Sequence, residues 1–360
     1  MAEKKKYRIT IGTFDLAKGL LVIMIILGHK LYNYAVDPAK VFAPIIPLFV
    51  LFRYGGNPLF FIVSGFSFKQ QPVKKMLKKS FSDLLKPYLY VMLACAVCFP
   101  LMHYALYRWW PGALHESTRF FLAFLLGIAE PGKVVLAYEL YWCSVTWFFL
   151  ALFLAQNILN LILRIPNEKA RSLAALGCAV VGYILSQAEF NYFCIHQGLI
   201  GAGYCYIGYL IKKHKFYQSK YIPWICVGLA VVSVGHVILG DYDMAYGTYK
   251  YGFLECVLAG ASGLLATFLC IMTGRCEWRL LEPIKTVGMY SYWIICIHAV
   301  ETVSIPWYAW SAKLAERPYL GFWLEVAMSA GAYVIICTGI KKITKHRKNR
   351  RIRTIKQNQA

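Results

Sequence analysis

The 360-residue sequence has little charge and especially few acidic residues. Asp, Glu, Lys and Arg together make up 16% of the chain, and 59% of the residues are hydrophobic. Soluble domains carry roughly 25% charged residues. No long polar stretch interrupts the apolar runs, which excludes an appended soluble domain. The mean hydropathy of +0.51 and apolar runs of membrane-spanning length indicate a polytopic membrane protein.

Two other features are missing. The sequence shows no internal repeat, which argues against a transporter built from paired halves. Its 12 cysteines lie almost entirely inside apolar runs, and the pair Cys95-x-x-Cys98 has no second pair at zinc-site spacing. We therefore predict neither disulfides nor a metal site, and we interpret the cysteines as small buried apolar residues.

The positive charge that is present lies between the apolar runs. Lys and Arg number 39 against 17 Asp and Glu, which gives a net charge of +22. They cluster in short loops and in the C-terminal segment, as in the cytoplasmic loops of membrane proteins. Anionic lipids attract such clusters. We therefore predict membrane lipids, and not nucleic acid, as the partner of this charge.

The distribution of this charge predicts the topology. The stretch 120–128 is too short to cross about 30 Å of hydrocarbon. If it does not cross, both termini are cytoplasmic and 30 of the 39 Lys and Arg lie inside; if it did, several basic segments would lie outside, against the positive-inside rule. We predict an all-α bundle of ten transmembrane helices with a short non-spanning segment on the outer face. Such a segment requires surrounding protein or a water-filled cavity, so a cavity is expected there.

The predicted organisation is a single transmembrane domain, 1–345, followed by a basic cytoplasmic tail, 346–360. The ten predicted spans are 14–33, 43–67, 87–104, 141–163, 172–188, 193–211, 222–240, 252–273, 286–305 and 319–340.

Three ionisable residues occupy the first apolar run, Phe14 to His29. The 11 positions from Lys18 to His29 make about three helical turns, and Asp15 lies nearly one turn further back, so one helix face carries all three. Ionisable side chains in a membrane span normally face a protein interior or a wet cavity. This face is either a structural polar seam or an active site.

The second span adds three polar candidates. Asn57 and Ser64 lie seven residues apart on one helix face; they either supply hydrogen-bond donors to a substrate or belong to helix packing by small residues. Arg53 has no neighbour in the sequence to neutralise it, so it faces a partner or a cavity. The sequence does not choose among the candidate partners of Arg53, which are Glu139, Glu255 and Glu325.

Three motifs together indicate a family. The first is Asp15-x-x-Lys18-Gly19 with His29; the second runs from 57 to 66 (NPLFFIVSGF) and precedes a basic segment; the third is 290–293 (YSYW) leading to His298. In this order they resemble the membrane-bound acyltransferase 3 family, the integral-membrane O-acyltransferases that modify surface glycans. The resemblance extends from Phe14 to His298. The commonest family pattern has Arg where this chain has Lys18, as some branches of the family do.

The resemblance implies roles for these residues. His29 either takes the proton of an acceptor hydroxyl or carries the acyl group as an acyl-imidazole, and the sequence leaves both open. Lys18 pairs with Asp15 or serves as a point charge for a donor phosphate, although Lys lacks the planar fork of Arg. His298 lines the same cavity or packs in the core. The residues expected to bind substrate are Asn57, Ser64, Arg53 and His298, and those expected to bind the donor phosphates are Lys74, Lys75, Lys78 and Lys79.

The sequence thus predicts an O-acyltransferase, most simply an O-acetyltransferase. It would move an acyl group from cytoplasmic acyl-CoA to a hydroxyl of a cell-surface or lipid-linked glycan. Acyl-CoA and the glycan are its expected substrates, and no permanently bound cofactor or metal is expected. The expected location is the inner (plasma) membrane, with several spans and both termini in the cytoplasm. A transporter or flippase of glycans or lipid-linked sugars is the alternative, because its wet cavity and buried charges would look similar.

Overall fold

The computed structural model describes residues 11–34, 36–274 and 278–357. Helices account for most of these residues. In chain order they are α1 (Ile11–Tyr34), α2 (Pro38–Phe42), α3 (Ile46–Ser67), α4 (Val73–Ser80), α5 (Lys86–Tyr107), α6 (Trp110–Leu126), α7 (Trp147–Ile162), α8 (Glu168–Gln187), α9 (Ile195–Lys213), α10 (Ile222–Leu239), α11 (Phe253–Thr273), α12 (Glu282–Ser304), α13 (Trp307–Lys313) and α14 (Pro318–Gln357).

Two antiparallel pairs of very short strands interrupt the helices. β1 (Val134–Val135) pairs with β2 (Tyr138–Glu139) between α6 and α7. β3 (Tyr242–Asp243) pairs with β4 (Thr248–Tyr249) between α10 and α11. Both hairpins belong to segments that the topology prediction places on the outer side.

Each of the ten predicted spans coincides with a helix. Among the described residues, seven helical segments are long and apolar enough to cross a membrane. The other three predicted spans correspond to α1, α9 and α12, with 24, 19 and 23 residues; at 1.5 Å per residue these are about 28–36 Å long. The all-helical membrane class is therefore confirmed. The count of ten spans stays a prediction.

Two segments predicted not to span the membrane are helical in the structure. Residues 120–126 form the last part of α6, a helix of 17 residues that begins at Trp110 and ends at Leu126; Gly127, where φ is +60°, follows it. The basic segment is also helical: α4 continues through a π-helical turn, Phe81–Leu85, into α5. Met76 and Ser80 are buried on one side of α4. The basic segment is therefore a helix that packs on the rest of the protein through one face.

Glycines bring the central helices close together. A Cβ at Gly19 would lie 2.0 Å from the carbonyl oxygen of Ile284, so the backbones of α1 and α12 are nearly in contact. α3 and α9 approach in the same way at Gly65, where a Cβ would lie 1.8 Å from the carbonyl oxygen of Cys205. In membranes the hydrophobic effect does little to drive helices together, because lipid is as apolar as the side chains. Small residues instead allow the close backbone packing that stabilises helix pairs. It fixes the positions of α1, α3 and α12 around the site.

The predicted tail is continuous with the last helix. α14 begins at Pro318 and extends through 346–357, while residues 358–360 lie outside the described part of the chain. Its first turns pack on α1, where Phe322 is fully buried against Leu31 and Tyr34.

Candidate active site

A cavity of about 950 Å³ lies beside α1. Its wall includes α1 from Leu21 to Asn33, together with parts of α3 and α12, the loop that precedes α7 and the β3–β4 hairpin. This volume is typical of small-molecule sites, at roughly 300–1,000 Å³. Four of the predicted site residues line it: His29, Arg53, Asn57 and His298.

His29 belongs to a hydrogen-bonded chain whose next members, His298 and Glu301, also line the cavity. Its Nδ1 lies 3.1 Å from Nε2 of His298, which is buried in α12. The opposite nitrogen of His298, Nδ1, lies 3.3 Å from Oε2 of Glu301 and 3.0 Å from the hydroxyl of Tyr333. The Tyr333 hydroxyl donates to the same carboxylate oxygen. A carboxylate therefore orients His298, and His298 orients His29.

A buried lysine continues this network. Lys30 Nζ donates to Oε1 of Glu301 at 2.8 Å, to Oε1 of Glu325 at 3.0 Å and to Oγ of Ser329 at 2.7 Å. Asn33 also donates to Glu325, at 3.1 Å. Lys30 is only 1% exposed. An isolated buried charge is costly, but one with several charge-assisted hydrogen bonds is accommodated.

The sequence analysis missed most of this network, although its spacing is visible. Glu301 follows His298 by three residues, and Glu325, Ser329 and Tyr333 recur every four residues on α14. These are the intervals that place side chains on one helix face. Lys30, next to His29 in an apolar run, is a further intramembrane charge of the kind that marks a site.

The structure separates the two polar residues predicted to act together on α3. Asn57 lines the cavity, whereas Ser64 accepts a hydrogen bond from Nε2 of Gln156 on α7, at 2.9 Å. Gly65, beside Ser64, is the point of contact with α9. Ser64 therefore sits in a helix interface, as the packing interpretation expects, and only Asn57 faces the space in front of His29.

Lys18 pairs with Asp15, one of the two alternatives the sequence left open. The Nζ and Oδ1 atoms are 2.7 Å apart, and about a third of the Lys18 side chain is exposed. Neither residue belongs to the described cavity wall, whose first residue on α1 is Leu21. Lys18 thus lies about 4.5 Å, or nearly one helical turn, from the end of the cavity that the topology prediction places toward the cytoplasm.

The acidic residue whose charge interacts with that of Arg53 is Asp243, which the sequence analysis did not consider. Both line the cavity. Burial raises the pKa of the Asp243 carboxyl, and backbone N–H groups and the charge of Arg53 act in the opposite direction. Of the three acidic residues first considered, Glu325 binds Lys30, and Glu255 accepts a hydrogen bond from the backbone of Asp241.

Aromatic residues cover the wall opposite α1. The ring of Trp142 lies 6.2 Å from that of His29 and 6.0 Å from that of Tyr246 on the β3–β4 hairpin. Burial, and to a smaller extent the negative charge of Asp243, raises the pKa of Tyr246 to about 12. Tyr246 therefore stays a neutral phenol at physiological pH. Hydrogen bonds to neighbouring helices hold the hairpin. Gln197 donates to the carbonyl of Ala245, and Ser186 donates to the carbonyl of Gly247. The backbone N–H of Asp241, just before the hairpin, donates to Glu255.

The four lysines predicted to bind phosphate are all exposed on α4: Lys74, Lys75, Lys78 and Lys79. None belongs to the wall of the described cavity. Within the described ranges, no group of three or more His, Cys, Asp or Glu side chains is placed to hold a metal ion.

A comparison with known proteins identifies the family. No curated protein and no solved structure matches the chain. The family model described as "Acyltransferase domain" (Acyl_transf_3) matches residues 11–341, which include α1 with His29, α12 with His298 and Glu301, and the carboxylate and hydroxyl groups of α14. The chain therefore belongs to the Acyl_transf_3 family and is a membrane acyltransferase.

Proposed function

We propose that this acyltransferase moves an acyl group, most simply acetyl, from acyl-CoA to a hydroxyl group of a cell-surface or lipid-linked glycan. The observation that carries the proposal is the orientation of His29. Its imidazole faces a cavity large enough for a sugar and a thioester, and hydrogen bonds through His298 to Glu301 hold it in place.

The ionised carboxylate of Glu301 favours one tautomer of His29. If the Nδ1–H of His298 donates to Glu301, then Nε2 of His298 must accept, and the donor is the Nδ1–H of His29. The Nε2 of His29 then carries the lone pair. No described side chain hydrogen-bonds to this nitrogen, so it is available to an acceptor hydroxyl. A fixed tautomer is what a general base requires.

The reaction follows from this arrangement. The acceptor hydroxyl gives its proton to Nε2 of His29 while its oxygen attacks the thioester carbonyl. The tetrahedral intermediate collapses, the C–S bond breaks, and the imidazolium returns the proton to the leaving thiolate of coenzyme A. The N–H donors of Asn57 are suited to the oxyanion. An acyl-imidazole route would use the same Nε2 as nucleophile.

The carboxylate of Glu301 supports the base through His298. It accepts hydrogen bonds from Lys30 and Tyr333 and lies 3.3 Å from Nδ1 of His298. When His29 takes a proton, this negative charge opposes the cost of the imidazolium in a low-dielectric interior, where charge interactions are strong.

The donor is proposed to enter from the cytoplasmic side. Lys18, oriented by Asp15, and the lysines of α4 would hold the nucleotide phosphates, because Lys clusters attract phosphate as point charges. From Lys18 to His29 is about 16 Å along α1, a distance that needs the extended pantetheine arm of coenzyme A. The enzyme would thus reside in the inner (plasma) membrane with both termini in the cytoplasm, and the acceptor would reach His29 from outside.

The test uses purified protein in detergent with acetyl-CoA and an oligosaccharide mixture from the cell surface. Release of coenzyme A and a mass increase of one acetyl group on the glycan would support the proposal; a glycan transporter would produce neither. We expect His29→Ala to fold but to lose at least about 10²-fold in turnover, since a general base contributes roughly 10²–10⁴. Near wild-type turnover in His29→Ala would remove the mechanism. His115→Ala, which removes an exposed histidine outside the cavity wall, is the matched control.

A further inference from the structure

Arg53 lines the cavity with a guanidinium group whose N–H donors have no partner among the described residues. Its side chain is exposed and lines the cavity together with Asn57, one turn further along α3. Among the described residues, no carboxylate oxygen lies within 4.0 Å of its guanidinium nitrogens and none of its N–H groups makes a hydrogen bond. Arg at membrane depth requires a partner or a wet surface. The five donors of Arg53 therefore point toward water or a ligand.

The other charges of the cavity wall are already committed. Lys30 forms ion pairs with both Glu301 and Glu325. Oδ1 of Asp243 accepts hydrogen bonds from the backbone N–H groups of Ala245 at 2.8 Å and Tyr246 at 3.2 Å, which form the turn of the hairpin. Of the charged groups on this wall within the described chain, Arg53 is the one whose donors stay free.

The surroundings of Arg53 suit a sugar. Trp142 and Tyr246 provide aromatic faces between His29 and the hairpin, and such faces contact the apolar side of a sugar ring while their N–H or O–H groups stay polar. Asn57 and Asp243 add hydrogen-bonding groups on the same wall. Arg, unlike Lys, matches a carboxylate or phosphate with two parallel hydrogen bonds.

We propose that Arg53 binds an anionic group of the acceptor, so that the enzyme prefers an acidic sugar, carrying a carboxylate or a phosphate, over a neutral one. This inference rests on the proposed function. It also gives a reason for a guanidinium whose donors stay free on the acceptor side: water in the cavity hydrates Arg53 in the absence of substrate, and the acidic sugar replaces that water with a charge-assisted pair.

The experiment compares three acceptors of equal length with acetyl-CoA: a neutral glucose trisaccharide, the same trisaccharide ending in glucuronic acid, and one carrying a phosphate monoester. Both kcat/KM and binding, measured by quenching of tryptophan fluorescence, are determined for each. We expect wild type to favour one or both anionic acceptors by about tenfold or more. The glucuronate and phosphate arms show which anion Arg53 binds.

Two variants at Arg53 and one control decide the assignment. In Arg53→Gln the ratio of kcat/KM for anionic over neutral acceptor should fall toward one, mainly through KM. In Arg53→Lys it should be partly retained, more for phosphate than for carboxylate. Arg108→Gln removes an exposed arginine that lies over the Tyr104 ring, and it should keep the wild-type ratio.

Three outcomes would overturn the inference. One is a wild-type enzyme that acylates all three acceptors equally, and another is an Arg53→Gln variant with the full anionic preference; both leave the proposed function intact. The third is a folded wild-type protein that neither binds nor acylates any acceptor and releases no coenzyme A, which would overturn the proposed function as well.

Discussion

Gly288 lies directly against the backbone of Asp15. A Cβ at position 288 would be 1.7 Å from the Asp15 carbonyl oxygen, so α12 and α1 touch here without any side chain between them. His298 lies ten residues after Gly288 on α12, and His29 lies ten residues after Gly19 on α1. The close approach near the start of the two helices therefore sets the 3.1 Å contact between the two imidazoles.

Gly288→Ala should accordingly damage activity from a distance. The new methyl group meets backbone, which cannot move aside as a flexible side chain would, so α12 must shift and the His29–His298 hydrogen bond must lengthen. We expect a loss of turnover of about tenfold or more, because misplacement by about 1 Å can cost about 10²-fold. Coenzyme A release measures it. Gly235→Ala on α10, where nothing lies within 4 Å, should be unaffected; equal losses in both variants would contradict this account.

His298 and Glu301 should behave as positioning residues. His298→Ala and Glu301→Gln remove the groups that fix the tautomer of His29, so kcat should fall by about 10²-fold while KM for acyl-CoA changes little. In serine proteases, removing the orienting carboxylate costs about 10⁴-fold. Glu301→Asp, which keeps the charge, should recover part of the rate. A Glu301→Gln enzyme with wild-type kcat would show that the network is structural only.

Lys30 should be important for stability. Its side chain and that of Glu325 are each 1% exposed, and removing one member of a buried ion pair typically costs about 3–5 kcal/mol. Lys30→Met should therefore unfold at much lower denaturant concentration in detergent micelles. The double variant Lys30→Met/Glu325→Gln should be more stable than Lys30→Met, because it removes one of the carboxylates left without a partner. If the double variant is less stable, the pair is not the source of the effect.

The lysines of α4 should affect the donor more than the acceptor. Replacing Lys74, Lys75, Lys78 and Lys79 by Gln should raise KM for acetyl-CoA about tenfold, and should weaken its dependence on salt because phosphate attraction is screened. The control is a second basic cluster of equal charge predicted on the same side, with Gln at Lys212, Lys213, Lys215 and Lys220. Equal effects of the two clusters would indicate a general surface charge and not a phosphate site.

The predicted topology can be tested by replacing one of two exposed leucines at a time with cysteine in a cysteine-depleted protein. Leu136 in the β1–β2 turn is 79% exposed and Leu280 before α12 is 84% exposed. With ten spans and cytoplasmic termini, Leu136→Cys should react with an impermeant thiol reagent in intact cells, and Leu280→Cys should react only after permeabilisation. Labelling of Leu280→Cys from outside would refute the predicted topology. The same assay must accompany the lysine variants, since basic residues also orient the chain.

The sequence alone determined the class of this protein and the family to which it belongs. Apolar runs, which must be helical in lipid because every backbone group needs a partner, predicted a helix at each of the ten positions. The interval from Lys18 to His29 and the motif around Asn57 indicated the acyltransferase family, because a motif is a local pattern along one or two helices.

Only the tertiary structure decided what surrounds His29. Its partner His298 is 269 positions away along the chain, and the spacing within α12 or α14 shows which residues share a face but not which helix that face meets. Asn57 and Ser64 share a helix face in sequence, yet one lines the cavity and the other packs on Gln156. Lys30 binds Glu301 and Glu325 because three helices converge around it, and backbone contacts at Gly19, Gly65 and Gly288 fix how close those helices can come.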